Sequence, residues 1–463
     1  MPVSVFEKHS RIDVPVETLF SWHTRPGAIE RLTPPWAPVK LVYHSGGIEQ
    51  GAKVKFILRF LKVPFAWEAE HISYEENRLF KDRQVKGPFS QWTHTHMFLP
   101  YGKSASVMKD RVEFELPLDL PGGPFRSFVE KELARIFAYR HRVLKNDLAA
   151  LQKRPGKITV LVSGGSGVIG SRLIPFLRAG GHRVIQLVRR RPDPDNDEIF
   201  WNPDRGELEL DAAGPVDAVI NLNGSNIAKR WTENRRKRIV SSRIQPTALL
   251  SEKISKLACK PSVFLTSSAV GFYGDRKEEN VAEGASKGSG FVSKVCDDWE
   301  TAAQPAADAG VRTCFLRIGI VLTPEGGVLS RMIPFFNAGL GVRVGSGKQF
   351  MSWISMDDTL GAIHHALFDD RLSGPLNLTA PAPVQNRVFA SSLSTVLSRP
   401  SWVMVPENLV KLLWGEMGEE VLLSGAAVMP EKLLNTGYCF IHQDIRTALC
   451  DVLGRPCIDT RKM

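Results

Sequence analysis

The residues that could do chemistry begin with a run of glycines. A β-branched apolar stretch, Ile158 to Val162, breaks into Gly164-Gly165-Ser166-Gly167-Val168-Ile169-Gly170, and a helical pattern resumes through Arg172, Leu173, Phe176 and Leu177. That order reads as strand, tight turn and helix. Glycines allow positive φ and remove Cβ atoms, so backbone N–H groups and the positive end of the helix can approach a pyrophosphate. All residues from Gly164 to Gly170 are therefore expected to hold a dinucleotide. A second strand, His182 to Val188, ends in Arg189-Arg190-Arg191. An acid there would hold an adenosine ribose 2′-OH, whereas arginine suits a 2′-phosphate. The arginines predict NADP over NAD, with Arg189 as the contact.

Further strands carry the other candidates. Val216 to Leu222 runs into Asn223-Gly224, where backbone at Asn221, Leu222 and Gly224 can pass close to the cofactor ribose. Ser262 to Thr266 leads to Ser267, Ser268 and then Tyr273. Hydroxyls at the carboxyl end of a parallel strand face the ligand crevice. Ser267 is accordingly placed with the cofactor, and Ser268, or Ser267 with an offset of one residue, against a substrate carbonyl. Tyr273 is the candidate proton donor, with packing under a substrate loop as its alternative role. Lys294, in the helical stretch Gly290 to Glu300, is expected to bond the nicotinamide ribose.

The elements that must position these residues alternate β and α from residue 157 onward, as a doubly wound sheet requires. Before them, Val3 to about Leu151 reads as antiparallel β. Strands are predicted at Val39 to His44, Lys53 to Leu61, Phe65 to Ser73, Arg78 to Lys86, Ser90 to Leu99 and Ser106 to Leu116. A proline-started helix follows the first strand at Pro15 to Trp22, and one long amphipathic helix, Pro124 to Leu151, closes the region. Its predicted core positions are Phe128, Leu133, Ile136, Phe137, Val143, Leu144 and Leu148. Trp36, Phe56, Phe60, Trp67, Trp92 and Phe98 could line a cavity, with plain core packing as the alternative. His94 and His96 share a face of one strand, but the sequence offers no third ligand beside them; a satisfied polar face is expected and no metal site is predicted. Lys153-Arg154-Pro155-Gly156 is a breaker-rich linker.

The chain has 463 residues and a net charge of +11. Part of that charge is local: Lys229, Arg230, Arg235, Arg236, Lys237, Arg238 and Arg243 stand against the single acid Glu233. Without an aromatic stacking platform or a recognition motif, a solvated helix face is expected there and no nucleic-acid binding. The six cysteines form no C-x-x-C pair, so neither a disulfide framework nor a zinc site is expected. No stretch approaches the ~18 apolar residues of a membrane span, and a cytoplasmic location is expected.

Two resemblances add to this reading. The strand order of residues 1–152, with Val14-Pro15-Val16-Glu17-Thr18-Leu19-Phe20-Ser21-Trp22 as strand running into helix, resembles the START-like (SRPBCC, polyketide cyclase/dehydrase-like) superfamily. That resemblance implies an α+β helix-grip domain with a hydrophobic-ligand cavity. From residue 157 onward the chain resembles the extended, epimerase-like short-chain dehydrogenase/reductases, and within them the YfcH-like epimerase family with its SulA-like and giant-chloroplast relatives. The motifs are the glycine turn, Ile220 to Gly224, Lys229-Arg230-Trp231, Ser268 to Gly274, Leu316 to Leu322 and Trp353 to Asp358. Met404-Val405-Pro406, Leu412 to Glu416 and Leu433 to Phe440 resemble that family's small C-terminal helical domain. The implied architecture is a START-like domain at 1–152, a linker at 153–156, an α/β Rossmann-like domain with a doubly wound parallel sheet at 157–395 and a small domain at 396–463.

The superfamily's usual chemistry places a tyrosine four residues before a lysine on one helix, where the ammonium lowers the phenol pKa. Lys294 matches the lysine, but Gly290 stands where the tyrosine belongs. Two readings follow. One is an NADP-dependent oxidoreductase or epimerase acting on a small-molecule substrate, polar or nucleotide-linked, with Ser268, Tyr273 and Lys294 as its catalytic set. The other is a non-catalytic NADP-binding regulatory protein, as the link between relatives and cell division suggests.

Overall fold

The computed structural model describes residues 3–457 apart from 38, 61–62, 118–121 and 155. The expected linker residue Pro155 and the side chain of Phe60 fall outside that set. Two compact units result: residues 1–155 with 175–181, and residues 156–174 with 182–463.

The first unit is one antiparallel sheet and its helices. Strand β1 (Ser4–Ile12) leads into α1 (Val16–Thr24) and the short α2 (Ala28–Arg31). Six strands follow: β2 (Val39–Ser45), β3 (Lys53–Phe60), β4 (Val63–Glu75), β5 (Leu79–Lys86), β6 (Gln91–Tyr101) and β7 (Ala105–Glu115). The sheet order is β1-β7-β6-β5-β4-β3-β2. Helix α3 (Gly122–Lys153) ends the unit. Leu19, Phe20 and Trp22 of α1 pack with Phe80, Phe98, Met108, Leu144 and Leu148. The period of α3 held for Leu133, Phe137, Val143, Leu144 and Leu148, all buried, but Phe128 is 46% exposed and its neighbour Val129 is buried in its stead. The aromatics pack on one another: Trp67 against Trp92 and Phe89, and Phe89 against Phe114. A small cavity in this unit is lined by His23, His96, Asp110, Arg140 and His141 beside Leu32, Met108 and Leu144, and none of the six aromatics named from the sequence is among them.

The second unit is built on an eight-stranded sheet. Its strands are β8 (Thr159–Ser163), β9 (Arg183–Val188), β10 (Glu198–Asn202), β11 (Glu207–Leu208), β12 (Ala218–Asn221), β13 (Val263–Ala269), β14 (Arg312–Ile318) and β15 (Gly374–Leu378). The order is β11-β10-β9-β8-β12-β13-β14-β15. Every pair is parallel except the edge pair β10–β11. The central strands are buried along nearly their whole length, because helices cover both faces of a parallel sheet. Helices α4 (Gly170–Ala179), α5 (Glu233–Lys256) and α6 (Phe291–Thr301) connect them.

Ile445, Ala448 and Leu449 belong to the same core as Leu322, Trp353 and Phe389. Cys450 and Cys457 pair as a single local disulfide, joining residues only seven apart, which is no framework. Among the described residues no helix is long and apolar enough to cross a membrane.

Candidate dinucleotide site

The chain leaves β8 toward β9 on one side and returns to β12 on the other, so the sheet reverses its direction of winding between β8 and β12. Ligands of open α/β sheets bind outside the carboxyl ends of strands at such a point. The glycine turn lies there. Gly164 has φ +77°, and a Cβ on it would lie 2.6 Å from the Leu222 carbonyl oxygen. A Cβ on Gly170 would overlap the Gly164 carbonyl oxygen. Only glycine lets the turn close against the end of β12 and start α4 directly, and the N–H of Gly167 bonds Gly164 O at 3.0 Å. Ser166, Val168 and Ile169 complete the turn, and the Thr323–Gly327 loop rims it through an Arg172–Glu325 ion pair whose Nε–Oε2 distance is 2.6 Å.

Asn221 faces inward. Its amide donates to Thr247 Oγ1 at 2.7 Å and Thr266 Oγ1 at 3.1 Å and accepts from Ser163 Oγ at 2.9 Å. Asn223 adds bonds of 2.6 Å to both Ser163 Oγ and Asn221 Oδ1. This buried amide ladder ties β8, β12 and β13 together, and the backbone of Leu222 and Asn223 is the part of that strand end lying against Gly164, while Gly224 faces the Arg243 guanidinium. Arg189 follows directly on β9; its side chain is 50% exposed and lies 3.6 Å from Asp204. Arg190 is taken up by Glu198 at 2.6 Å.

The predicted catalytic residues are distributed differently from expectation. Ser268 and Tyr273 are buried within a closed network. Ser268 Oγ donates to Glu300 at 2.6 Å, and Arg317 grips the same carboxylate with two bonds of 2.8 Å. Arg317 also donates to the Tyr273 hydroxyl at 3.0 Å, and that hydroxyl donates to Asn377 Oδ1 at 2.8 Å. The guanidinium stacks on Phe272, 3.5 Å from its ring centre. Burial pushes the Tyr273 phenol above its usual range, against the pull of Arg317. Tyr273, the candidate proton donor, is thus fully buried, and its hydroxyl both donates and accepts a hydrogen bond inside the protein, as its alternative packing role would have it. Ser268 is likewise turned from a substrate carbonyl to Glu300. Ser267, its neighbour, is also buried.

Lys294 stands outside this network. Its side chain is 73% exposed and pairs with Asp298 one turn along α6 at 3.1 Å. Gly290, at the start of α6, has φ +99°, and a Cβ there would meet the Glu420 carboxylate at 2.9 Å. Glu420 accepts from the N–H groups of Phe291 at 2.9 Å and Val292 at 2.8 Å. The missing tyrosine is thus matched by a carboxylate reaching in from far along the chain. Beside it, Trp231 meets Phe291 edge to face, Arg236 lies over both rings, and Arg236 pairs with Glu416. The basic stretch 229–243 is therefore only partly a solvated face. Burial pushes the thiols of Cys296 to about 12 and Cys314 to about 11, so neither is a ready nucleophile.

Sequence reading missed Glu300, Arg317, Asn377 and Glu420. Arg317 had a signal, since a charge between Leu316 and Ile318 in a buried strand requires a partner.

A parallel doubly wound sheet with a glycine turn at its switch point defines a dinucleotide-binding α/β unit. Comparison with known proteins agrees. The NAD dependent epimerase/dehydratase family model matches residues 160–377, and a Domain of unknown function (DUF1731) matches residues 405–452. An epimerase family protein of Mycobacterium bovis is 43% identical over 298 residues, covering 64% of this chain and 98% of the relative. A chloroplastic SDR39U1 homolog of Arabidopsis thaliana is 36% identical over 307 residues, covering 64% of this chain and 87% of the relative. Among solved structures, the nucleoside-diphosphate sugar epimerase of Corynebacterium glutamicum is 29% identical with a TM-score of 0.80, covering 97% of this chain and 90% of that one. Human epimerase family protein SDR39U1 (isoform 2), solved with NADPH, is 33% identical with a TM-score of 0.59, covering 64% of this chain and 99% of that one. The chain belongs to the NAD-dependent epimerase/dehydratase family, an NAD(P)-binding family.

Proposed function

We propose that this chain binds NADP(H) at the Gly164–Gly170 turn and works as an oxidoreductase or epimerase on a small polar or nucleotide-linked substrate. The observation that carries this reading is the closure of the glycine turn against the end of β12 at the switch point, with Arg189 half exposed directly beyond β9. The NADPH in the human relative supports the cofactor, and the Corynebacterium relative's description as a nucleoside-diphosphate sugar epimerase supports the substrate class. Gly224, Leu222 and Ser267 would line the cofactor, and Lys294 would release Asp298 to bond its ribose. Glu420, at the place vacated by the tyrosine, is the group we assign to the proton. A second reading, non-catalytic NADP binding, is favoured by one observation: Ser268 and Tyr273 spend their hydroxyls on Glu300, Arg317 and Asn377.

Titration of the purified protein by cofactor fluorescence tests the first step. NADPH should bind more tightly than NADH, and Arg189→Ala should remove the difference; equal affinities in the wild-type chain would sink the NADP assignment. Stereospecific deuterium loss from labelled NADPH in a metabolite pool, abolished by Glu420→Gln with NADPH affinity retained, would support the enzyme. Loss that survives Glu420→Gln would remove that residue from the mechanism, and no loss in the wild type favours the non-catalytic reading.

The first unit we assign to the START-like helix-grip type, on its seven-stranded antiparallel sheet and 32-residue terminal helix. An apolar fluorescent probe that fails to bind it would argue against a hydrophobic ligand there.

A further inference from the structure

The sequence offered two same-face histidines and no third ligand. Strand pairing supplies one. Asp82 on β5 lies directly opposite His94 on β6, and Asp110 on β7 lies opposite His96. One ligand atom each from Asp82, His94 and His96 lies within 4.8 Å of the other two. His94 Nδ1 is 3.6 Å and His96 Nε2 is 3.8 Å from the same oxygen of Asp82. These separations exceed hydrogen bonds, yet they are close to the edge of about 3.4 Å between ligands of a tetrahedral ion whose bonds are ~2.0–2.1 Å long.

The opposite edges of the two rings face Asp110. His94 Nε2 lies 2.9 Å from Asp110 Oδ1, and His141 Nε2 lies 2.6 Å from Oδ2. His96 Nδ1 approaches Oδ1 at 2.8 Å, obliquely and without an aligned hydrogen bond. Phe80 stacks on His96 with ring centres 4.0 Å apart and fixes its plane. A carboxylate behind a ligating imidazole is the arrangement that orients metal-binding histidines and sets their tautomer. With Nε2–H of His94 given to Asp110, Nδ1 turns a lone pair toward the Asp82 carboxylate. Two acceptors then face each other in a buried place. A proton shared between them would draw His94 and Asp82 to hydrogen-bond length, and 3.6 Å is too long for that. A cation between them resolves the conflict.

We propose that Asp82, His94 and His96 bind one divalent transition-metal ion, with Asp110 as the residue that positions both imidazoles. Two nitrogens and one carboxylate suit a borderline ion such as Zn(II), Co(II) or Fe(II); Mg(II) and Ca(II) prefer all-oxygen sets. Three protein ligands leave a coordination position for water or a ligand, as at reactive rather than purely structural zinc sites.

Full-length protein, stripped with a chelator and dialysed, is titrated with Zn(II) by calorimetry and with Co(II) by visible absorption. One equivalent should bind, with a nitrogen/oxygen-type tetrahedral or five-coordinate Co(II) spectrum. Asp82→Asn, a near-isosteric change at a side chain 15% exposed, should weaken binding at least tenfold. Asp110→Asn should keep the stoichiometry and weaken binding about 10–100-fold, as loss of a positioning carboxylate does. Cys259→Ser with Cys439→Ser, which removes the two exposed thiols, should change nothing. Circular dichroism establishes that each variant is folded; if a histidine variant is not, Asp82→Asn carries the test. Less than a tenth of an equivalent bound by the wild type, binding unchanged in Asp82→Asn, or a thiolate charge-transfer band lost with the cysteines would each overturn the proposal.

Discussion

Each unit buries a cluster of ionisable side chains, and the two clusters balance donors against acceptors differently. In the α/β unit, Arg317 gives two bonds to Glu300 and one to Tyr273, Ser268 gives its proton to Glu300, and Tyr273 gives its own to Asn377. Each of these donated protons has an acceptor within 3.0 Å, Arg317 reaches a further acceptor in the Glu283 carbonyl at 3.3 Å, and the positive guanidinium sits on the negative carboxylate. In the antiparallel unit, Asp82 meets two imidazole nitrogens at 3.6 and 3.8 Å, while His23 Nε2, His71 Nδ1 and His141 Nδ1 have no hydrogen-bond partner among the described residues. A saturated network has nothing left to offer a ligand and acts on stability. An unsaturated one is held together by the surrounding sheet and retains capacity for something else. By that difference the two hydroxyls expected to be catalytic are engaged in hydrogen bonds within the protein, while the two histidines expected to be a satisfied polar face stand beside a carboxylate at distances beyond a hydrogen bond.

The sharpest way to break this comparison is to cut one member from each cluster. Glu300→Ala strands the Arg317 charge in the core and should lower stability by about 3–5 kcal/mol in urea denaturation. Asp82→Asn in metal-stripped protein should leave the stability of the first unit unchanged or raised, since it removes an acceptor that faces acceptors. Equal losses in both variants would erase the distinction. Because the chain has two units, each transition needs its own probe.

A third buried cluster sharpens the contrast, because its histidine uses both nitrogens. His442 Nδ1 lies 3.0 Å from Ser355 Oγ, and Nε2 lies 2.7 Å from Asp451. Burial alone would lower its pKa, but the hydrogen bonds and charges of Asp358 and Asp451 outweigh it and raise it to about 9. A folded value above the unfolded one of about 6.5 means that the contribution is complete below that pH and disappears as pH rises through about 9. Denaturation midpoints of the second unit should therefore fall between pH 7 and 10, by up to about 3 kcal/mol, and His442→Gln should flatten that slope. A slope unchanged in the variant would assign it to other groups.

Tyr273→Phe asks the smaller question of a single hydroxyl. It should cost about 1–2 kcal/mol by leaving Asn377 and one Arg317 N–H unpaired, with NADPH affinity unchanged. Lost turnover at unchanged stability would return Tyr273 to the catalytic set and move its network out of the saturated kind.

What could be read in advance divides along sequence distance. The glycine turn, the strands on either side of it and the alternating strands of the first unit are local patterns, and each is found close to its predicted place. Phe128 failed because the apolar period of a helix marks a stripe and not its edge; the burial boundary falls one residue on, at Val129. The absence of tyrosine at Gly290 was visible, but the carboxylate that fills the space comes from Glu420. Likewise, His94 and His96 showed their shared face through alternation alone, whereas Asp82 reaches them only through the β5–β6 register. Side chains brought together by register or by a later lobe leave no local mark. A charge inside an apolar strand, such as Arg317, shows that a partner exists without naming it.

Lys294 gives the smallest expected effect on stability and separates structure from binding most cleanly. It belongs to neither cluster, and its pairing with Asp298 on an exposed helical turn contributes little to the fold. Lys294→Met should therefore melt with the wild type. If its ammonium leaves Asp298 for the nicotinamide ribose, the same variant should bind NADPH roughly tenfold more weakly, the loss of one charge-assisted hydrogen bond, and Asp298→Asn should bind NADPH at least as well as wild type by freeing the lysine. Unchanged NADPH affinity in both variants would leave Lys294 a surface residue. The cofactor would then be held by the glycine turn, the β12 end and Arg189 alone.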